Sequence, residues 1–261
     1  MKKKFEFNFE NKTVIITGGS SPIGRELVDS FLDLKANVIV IDKISKDNKN
    51  FINKYSKKVK LFNIDLSIKK NVVNLITKLK KIKRLDCLIN NAAFVKKKNY
   101  KSYTGSVKEQ SIDVFKNSLD VNLVAPFHLI KELSPLMKNS PNPSIINISS
   151  IYSFVGPDFE LYKNTNMGNS AGYSSSKAAL NQLTVWFASA LSPKIRVNSI
   201  SPGGVYRNQP ATFVKKYISK CLLGKMASEE NIVGPVIFLA SDLSSYITGQ
   251  NLVIDGGYSK V

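Results

Sequence analysis

Short runs of β-branched and other apolar residues alternate along this chain with longer stretches in which apolar residues recur every three or four positions. The short runs predict strands at 13–17, 37–41, 58–64, 86–90, 144–149, 195–200 and 251–255. The longer stretches predict helices at 23–35, 68–82, 113–137, 171–191 and 229–240. Strands separated by helical crossovers form a parallel sheet with helices on both faces, so the pattern predicts an α/β, doubly wound fold with a seven-stranded, mainly parallel sheet.

Three connections that follow predicted strands are longer than a connection requires. They span residues 92–111, 151–172 and 202–228. Ligands of doubly wound sheets bind beyond the carboxyl ends of the strands, and all three loops leave from that edge. We therefore expect these loops to carry the residues that recognise a substrate.

The net charge of +19 would attract nucleic acid, anionic membranes or acidic substrates. The lysines are spread along the whole chain without an arginine-rich patch, so we expect no nucleic-acid partner. No apolar run approaches the roughly 18 residues of a membrane span, and the N-terminus lacks the apolar core of a signal peptide, which predicts a cytoplasmic protein with no membrane partner. Cys87 and Cys221 have no metal-ligand spacing; we expect them to be structural and the protein to bind no metal.

A glycine-rich turn, Thr-Gly-Gly-Ser-Ser-Pro-Ile-Gly at residues 17–24, follows the first predicted strand. Such a turn lets the backbone approach a pyrophosphate at a helix N-terminus, although it can also be merely structural. Pro22 suits the first helical position, where its missing N–H is not needed and its φ is already helical. Ile23 and Gly24 could still donate N–H groups, so we expect the site to survive, even though proline cannot replace a glycine of positive φ.

Tyr173 and Lys177, in Tyr-Ser-Ser-Ser-Lys, are four residues apart and so share a helix face. An ammonium group near a phenol favours the phenolate, which can exchange a proton with a substrate oxygen. Ser150, in Asn-Ile-Ser-Ser, could hydrogen-bond the same oxygen. The alternative is an exposed Tyr and Lys on an amphipathic helix. Asn122 lies in an apolar helical run, where a buried amide requires partners.

Together these motifs resemble the short-chain dehydrogenase/reductase family over essentially the whole chain. The resemblance rests on the turn, in which Pro22 stands at the second motif glycine, and on Asn90–Ala93, Asn122, Ser150, Tyr173, Lys177 and the final Thr-Gly-Gln-Asn-Leu-Val-Ile-Asp-Gly-Gly-Tyr. It implies a single NAD(P)-binding Rossmann domain over residues 1–261. It also implies that Asn122 anchors a water in a proton relay ending at Lys177; the alternative is an amide that only ties two helices together.

The cofactor implied by this resemblance is a nicotinamide dinucleotide. Asp42 follows Gly24 by 18 residues, near the spacing at which an acidic side chain accepts from a ribose 2′-OH. A carboxylate there repels a 2′-phosphate, which favours NAD(H) over NADP(H), and the neighbouring Lys43 weakens that preference. Asp65 either contacts adenine, as in the family, or is an acidic residue at a helix N-terminus. The cofactor-binding positions expected are Gly18, Ser20, Ser21, Pro22, Ile23, Gly24, Asp42, Asp65, Leu66, Asn91, Ala92, Ala93, Tyr173, Lys177, Pro202, Gly203 and Val205.

Two departures from the family pattern bear on the substrate. The 23-residue gap from Ser150 to Tyr173 is longer than usual, and the extra loop is expected to reshape the pocket. Arg207 stands where the family has a threonine that helps hold the nicotinamide carboxamide. Either Asn208 or the backbone takes over, or Arg207 faces the substrate as a fork-shaped donor for carboxylate or phosphate. Lys96–Lys98 could line the opposite rim or face solvent.

Both departures resemble a subgroup associated with bacterial surface-glycan and flagellin-sugar modification, which implies an anionic or nucleotide-linked sugar as substrate. We expect an NAD(H)-dependent oxidoreductase that moves a hydride between nicotinamide and a secondary alcohol or ketone, with Asn122, Ser150, Tyr173 and Lys177 as catalytic residues and Ser150, Tyr173 and Arg207 at the substrate. The alternative is a catalytically silent nucleotide-binding scaffold or sensor. Trp186 lies on an apolar helix face that resembles the family's subunit interface, so a homodimer or homotetramer is expected; ordinary core is the alternative.

Overall fold

The structure is a computed structural model, and it describes residues 7–44, 49–94 and 101–261. Its centre is a sheet in the order β3-β2-β1-β4-β5-β6-β7, and every pair of neighbouring strands is parallel. The strands are β1 Thr13–Thr17, β2 Asn37–Asp42, β3 Lys60–Asn63, β4 Cys87–Asn90, β5 Ser144–Ile148, β6 Arg196–Pro202 and β7 Asn251–Ile254. The predicted seven-stranded, doubly wound sheet is confirmed, with each strand within a few residues of its predicted bounds.

The described helices are α1 Pro22–Asp33, α2 Lys49–Tyr55, α3 Lys69–Leu79, α4 Lys101–Thr104, α5 Ile112–Leu119, α6 Ala125–Met137, α7 Ala171–Ala190, α8 Ala211–Ile218 and α9 Glu230–Ala240. A π-helical turn, Asp120–Val124, joins α5 to α6. The single helix predicted at 113–137 is therefore helical throughout but contains this wider turn. Helices α4 and α8 lie inside two of the three long loops.

Two apolar layers hold the helices against the sheet. Side chains of α1, α2 and α9 pack on one face and those of α3, α6 and α7 on the other. Along β1, for example, Ile16 points into the first layer and Ile15 into the second, and both are fully buried. Strands covered on both faces carry continuous apolar runs, which explains why they could be found in the sequence. None of the helices within the described residues is long and apolar enough to cross a bilayer.

A third apolar cluster lies at the carboxyl edge of the sheet. It joins the loop after β5, the loop after β6 and the C-terminal segment through Ile151, Leu161, Phe213, Tyr217, Met226 and Tyr258. The two loops therefore pack against each other above the ends of β5 and β6. This arrangement supports their expected position over a ligand-binding edge.

Candidate active site

At two positions of the turn after β1, Gly18 and Gly24, no residue larger than glycine fits. Gly18 has a φ of +67°, and a Cβ there would lie 2.7 Å from Ala92 Cα. A Cβ on Gly24 would lie 2.1 Å from the carbonyl oxygen of Gly18. Since both contacts are with backbone, neither can be relieved by a change of rotamer. The two ends of the turn thus approach more closely than any side chain allows.

Pro22 is the first residue of α1, as its sequence position predicted. Ser21 precedes it as the N-cap, and its hydroxyl accepts a hydrogen bond from the Gly24 N–H at 3.2 Å. Proline does not weaken this helix start, because the N–H it lacks would have had no intrahelical partner. The turn therefore keeps the strand–turn–helix geometry typical of anion sites.

The Asn-Asn-Ala-Ala motif fastens this turn to the end of β4. The side-chain amide of Asn91 donates to the carbonyl oxygens of Thr17, at 3.0 Å, and Gly18, at 2.9 Å. In return, the Thr17 hydroxyl accepts from the N–H groups of Asn91 and Ala92, both at 3.0 Å. The Asn91 side chain is thus occupied in holding the turn, while Ala93 is exposed at the rim.

Three charged residues lie at the ends of β2 and β3. The Asp42 carboxylate accepts from the Ser20 N–H at 2.7 Å and so braces the glycine turn. Lys43 forms a 2.5 Å ion pair with Asp65, whose other oxygen accepts from the Ser67 N–H and hydroxyl. Burial acts to raise the pKa of Asp65, but the bonds from Lys43 and Ser67 hold it below its usual value. The adjacent Leu66 packs its side chain into the core.

Tyr173 and Lys177 lie on one turn of α7 beneath the loop after β5. Helix α7 is capped by Ser170, whose hydroxyl accepts from the Tyr173 N–H at 3.4 Å. The Lys177 side chain is 2% exposed, and its Nζ donates to the carbonyl oxygen of Ile148 at 2.6 Å. That Nζ lies 5.7 Å from the centroid of the Tyr173 ring. Burial lowers the pKa of the Lys177 ammonium to about 8.

The Tyr173 phenol is surrounded by groups from separate elements. Burial raises its pKa, and a hydrogen bond with the Ser150 hydroxyl and the positive charge of Arg207 act in the opposite direction. Ser150 lies two residues beyond the end of β5, and its hydroxyl also accepts from the Tyr152 N–H at 3.2 Å. Tyr103, on α4, is an electrostatic neighbour of the same phenol. Tyr152, from the loop after β5, is a further electrostatic neighbour, so each of the three long loops contributes a side chain around Tyr173.

Asn122 lies in the π-helical turn between α5 and α6 and is fully buried. Its side-chain oxygen accepts from the Phe94 N–H at 2.7 Å, and its nitrogen donates to the Ser176 hydroxyl at 2.9 Å. Ser176 precedes Lys177 on α7, so the amide ties the loop after β4 to the helix that carries Tyr173 and Lys177. A π-helical turn at this point is typical of functional sites.

Arg207 has one carboxylate partner and one amide partner, and neither could be inferred from its position in the sequence. Its Nε donates to the Glu229 carboxylate at 2.9 Å, and its backbone N–H donates to the Gln209 side chain at 2.7 Å. Gln209 in turn donates to the carbonyl oxygen of Val205 at 2.8 Å. Asn208 is exposed with a φ of +57°. Lys96–Lys98, the expected opposite rim, lie outside the described residues.

The segment that follows β6 is also fixed by backbone contacts. The Gly203 N–H donates to the carbonyl oxygen of Ile254 at 2.8 Å, and Val205 forms an isolated parallel bridge with Ala227. Pro202 is buried at the end of β6. Sequence reasoning did not find five residues that contact this segment or lie near Tyr173. They are Tyr103, Tyr152, Ser176, Gln209 and Glu229. Their contacts depend on loop packing rather than on local pattern.

Comparison with known proteins places this geometry in a family. The family model described as Enoyl-(Acyl carrier protein) reductase matches residues 18–259. The chain belongs to the short-chain dehydrogenase/reductase family. Its curated relatives include Post-translational flagellin modification protein A of Campylobacter coli, 32% identical over 256 residues, 95% of this chain and 98% of that protein. This protein is therefore an NAD(P)-dependent short-chain dehydrogenase/reductase, and the family resemblance seen in its motifs is confirmed.

Solved structures of the family include members that hold either form of the cofactor. A short chain dehydrogenase from Leptospira borgpetersenii with bound NAD+ is 35% identical, with a TM-score of 0.86, covering 99% of this chain and 97% of that one. A structure from Beutenbergia cavernae with NADP at low occupancy is 27% identical, with a TM-score of 0.82, covering 98% and 99%. The comparisons support a nicotinamide cofactor without distinguishing NAD from NADP.

The carboxyl edge of the sheet fits such a cofactor. The turn closes on itself between Gly18 and Gly24 without room for a Cβ, and it places the N-terminus of α1 at this edge, where a pyrophosphate binds in dinucleotide-binding folds. Acidic residues lie at the carboxyl ends of β2 and β3 on one side of the turn, and Tyr173 and Lys177 lie beside β5 and β6 on the other. The order along this edge is the two acidic residues, the glycine turn and the Tyr–Lys pair. It matches the order of adenosine, pyrophosphate and nicotinamide in the dinucleotide.

Proposed function

We propose that this protein is an NAD(H)-dependent oxidoreductase that moves a hydride between nicotinamide and a secondary alcohol or ketone of an anionic or nucleotide-linked sugar in surface-glycan biosynthesis. The observation that carries the proposal is the buried Lys177 Nζ 5.7 Å from the centroid of the Tyr173 ring, with Ser150 and Arg207 both acting to lower the pKa of the same phenol. A scaffold that only binds nucleotide has no need of this arrangement. We propose that residues 1–261 act as one NAD(P)-binding domain, which is supported by the single sheet and by the family match over 18–259.

Tyr173 is the proposed acid and base. Its phenolate takes the hydroxyl proton when an alcohol is oxidised, and its phenol gives a proton to the carbonyl oxygen when a ketone is reduced. The Ser150 hydroxyl donates a hydrogen bond to the same substrate oxygen and stabilises its developing charge. Bound NAD(H) would accept or donate the hydride at nicotinamide C4.

Lys177 and Asn122 support this proton transfer. The Lys177 ammonium favours the phenolate of Tyr173 and would contact the nicotinamide ribose. Asn122 is proposed to support the relay that returns the proton to solvent. Its bonds to Phe94 and Ser176 also fix the loop after β4 against α7, so the tying role considered for this amide accompanies the relay role.

The charges near the glycine turn favour NAD(H) over NADP(H). Asp42 places a carboxylate beside Ser20, where it would repel a 2′-phosphate. Lys43 is paired with Asp65 and so contributes little to anion binding at this place. The opposing influence is Arg25, whose Nε donates to the carbonyl oxygen of Ser20 at 2.9 Å. With one carboxylate facing the site and one lysine neutralised, we propose NAD(H) as the working cofactor.

The substrate class follows from Arg207. Glu229 accepts from the Arg207 side chain and Gln209 from its backbone N–H, and the positive charge of Arg207 acts to lower the pKa of Tyr173. Because Glu229 occupies Nε, the end formed by Nη1 and Nη2 remains available for a bidentate bond to a carboxylate or phosphate. A sugar with such a group near the reacting carbon would fit, which agrees with the flagellin-modification name of the Campylobacter coli relative.

The remaining proposals concern location and partners. We propose a cytoplasmic homodimer or homotetramer that acts on a small molecule and has no nucleic-acid or membrane partner. The spread of lysines over the chain and the exposed apolar side chains of α7 support these expectations.

One experiment in two stages tests the function. Calorimetric titration with NADH and with NADPH at moderate salt should give clear binding of NADH and binding of NADPH weaker by at least about tenfold. NADH absorbance is then followed across a panel of keto- and hydroxy-sugars with carboxylate, phosphate or nucleotide groups. Turnover should appear with one of these classes and fall by about 10²–10⁴-fold in Tyr173→Phe.

The matched control is Tyr103→Phe, which removes another hydroxyl near the same phenol and should retain most of the activity. Unimpaired turnover by Tyr173→Phe would overturn the catalytic assignment. Nucleotide binding without turnover on any sugar of the panel would favour the scaffold or sensor.

A further inference from the structure

A buried tyrosine of α8 contacts the backbone of the segment that follows β6. Tyr217 is 3% exposed, and its hydroxyl accepts a hydrogen bond from the Gly204 N–H at 2.6 Å. Gly204 lies between Gly203 and Val205, two positions at which cofactor contact is expected. We name Pro202–Val205 the nicotinamide loop. The hydroxyl thus fixes one N–H in the middle of that loop.

The two glycines of the nicotinamide loop make room for this ring. A Cβ on Gly203 would lie 2.8 Å from the Tyr217 hydroxyl oxygen, and a Cβ on Gly204 would lie 2.8 Å from its Cζ. Neither residue has a positive φ, so conformational freedom does not explain the pair. Close packing explains it: Tyr217 is the nearest neighbour of both glycines, and Asp255 lies almost as close to Gly203, with its Cα 2.9 Å from the position of a Cβ. On the other side, the Gly204 carbonyl oxygen accepts from the Ala227 N–H at 3.0 Å.

The Tyr217 ring is itself held in a stack of aromatic side chains. It lies parallel to Tyr258, with centroids 4.6 Å apart and 9° between the planes. On the same helix, Phe213 stacks against Tyr217 at 6.0 Å and against Tyr162 at 5.7 Å. A ring held in this way has little rotational freedom, so its hydroxyl stays directed at Gly204.

The stack ends in the extra residues between Ser150 and Tyr173, and further contacts attach that segment to α8 and to the turn that follows it. Lys216 Nζ donates to the carbonyl oxygen of Glu160 at 2.7 Å, and Lys220 forms an ion pair with Asp158. The Tyr162 hydroxyl is 2.5 Å from that of Tyr152, a neighbour of the Tyr173 phenol. Helix α8 therefore contacts the nicotinamide loop through Tyr217 and the extra loop through Phe213 and Lys216.

We propose that Tyr217 is a positioning residue for the nicotinamide end of the cofactor, acting through the Gly204 N–H. This inference rests on the proposed function, since it assigns a ligand to the loop that Tyr217 holds. With its hydroxyl in place, the nicotinamide loop is ordered before the cofactor arrives, so binding does not have to order it. Without the hydroxyl, a partly buried N–H is left unpaired and the loop can leave its position.

The test compares two ligands that differ at the nicotinamide end. Calorimetric titration of Tyr217→Phe with NADH should give a Kd raised by roughly 3- to 20-fold, the effect of one hydrogen bond. Titration with ADP-ribose, which has the adenosine and pyrophosphate but no nicotinamide, should give the wild-type Kd. Hydrogen exchange in a peptide covering residues 202–210 should be faster in the variant.

Tyr206→Phe is the matched control. It also removes a tyrosine hydroxyl, but from the residue that directly follows the nicotinamide loop and is 51% exposed. It should leave both affinities unchanged. Equal loss of NADH and ADP-ribose affinity in Tyr217→Phe, or no loss of either, overturns the inference and leaves the proposed function standing. Failure of the wild type to bind NADH overturns both.

Discussion

Arg207 brings to Tyr173 a positive charge that does not come from helix α7. The spacing of Tyr173 and Lys177 predicts that Lys177 favours the phenolate, and its Nζ indeed lies 5.7 Å from the ring centroid. That Nζ is also bonded to the Ile148 carbonyl oxygen, and burial lowers its pKa to about 8. The positive charge of Arg207 acts on the pKa of Tyr173 in the direction opposite to burial, and it does so from the loop after β6.

Replacing Arg207 by Met should move the pH dependence of alcohol oxidation to higher pH. Loss of the positive charge disfavours the phenolate relative to the phenol, so the pKa of Tyr173 rises and the base form appears later on the pH scale. The measurement is the pH profile of kcat for the sugar alcohol found in the screen. Arg207→Lys keeps a positive charge and should retain more of the wild-type profile. An Arg207→Met profile that coincides with the wild type would exclude this electrostatic role.

At the level of helices and strands, the elements that could be predicted from the sequence are those in which buried positions recur at a regular spacing. The central strands are apolar on both faces, so their runs stand out from the helical periodicity. The π-helical turn at Asn122 did not stand out, because one wider turn leaves the apolar face of a long helix almost unchanged. Likewise, Tyr103, Gln209 and Glu229 reach the site only through loop packing, which leaves no local pattern in the sequence.

For the glycine turn we predict that a substitution at Gly24 abolishes cofactor binding, whereas one at Pro22 is tolerated. Gly24→Ala should abolish NADH binding, since its Cβ would lie 2.1 Å from the Gly18 carbonyl oxygen and the turn must open. Pro22→Ala should preserve NADH binding, because alanine is also accepted at the start of α1, and should destabilise the fold by only about 0.4–1 kcal/mol through the unfolded chain. Calorimetry and thermal unfolding of both variants measure these effects. Wild-type NADH affinity in Gly24→Ala would contradict the assigned pyrophosphate site.

At the scale of the whole molecule, helices α6 and α7 expose aromatic side chains on the outer side of their layer. Trp186 on α7 is 57% exposed, and Phe127 on α6 is 41% exposed. Both pack edge-on or tilted against Phe187 between them. Ordinary core, the alternative considered for Trp186, does not describe a side chain that is mostly in solvent. An exposed aromatic surface of this kind is typical of protein–protein interfaces.

The proposed homo-oligomer should therefore depend on Trp186. A glutamate there would bury a charge in an apolar contact, so Trp186→Glu should shift the protein from a dimer or tetramer to a monomer at micromolar concentration. Light scattering after size-exclusion chromatography measures the mass, and circular dichroism checks that the fold is kept. Ile52→Glu, on α2 against the opposite face of the sheet and 38% exposed, is the matched control and should keep the wild-type mass. A wild-type protein that is already monomeric, or a Trp186→Glu variant of unchanged mass, would exclude an interface on this surface.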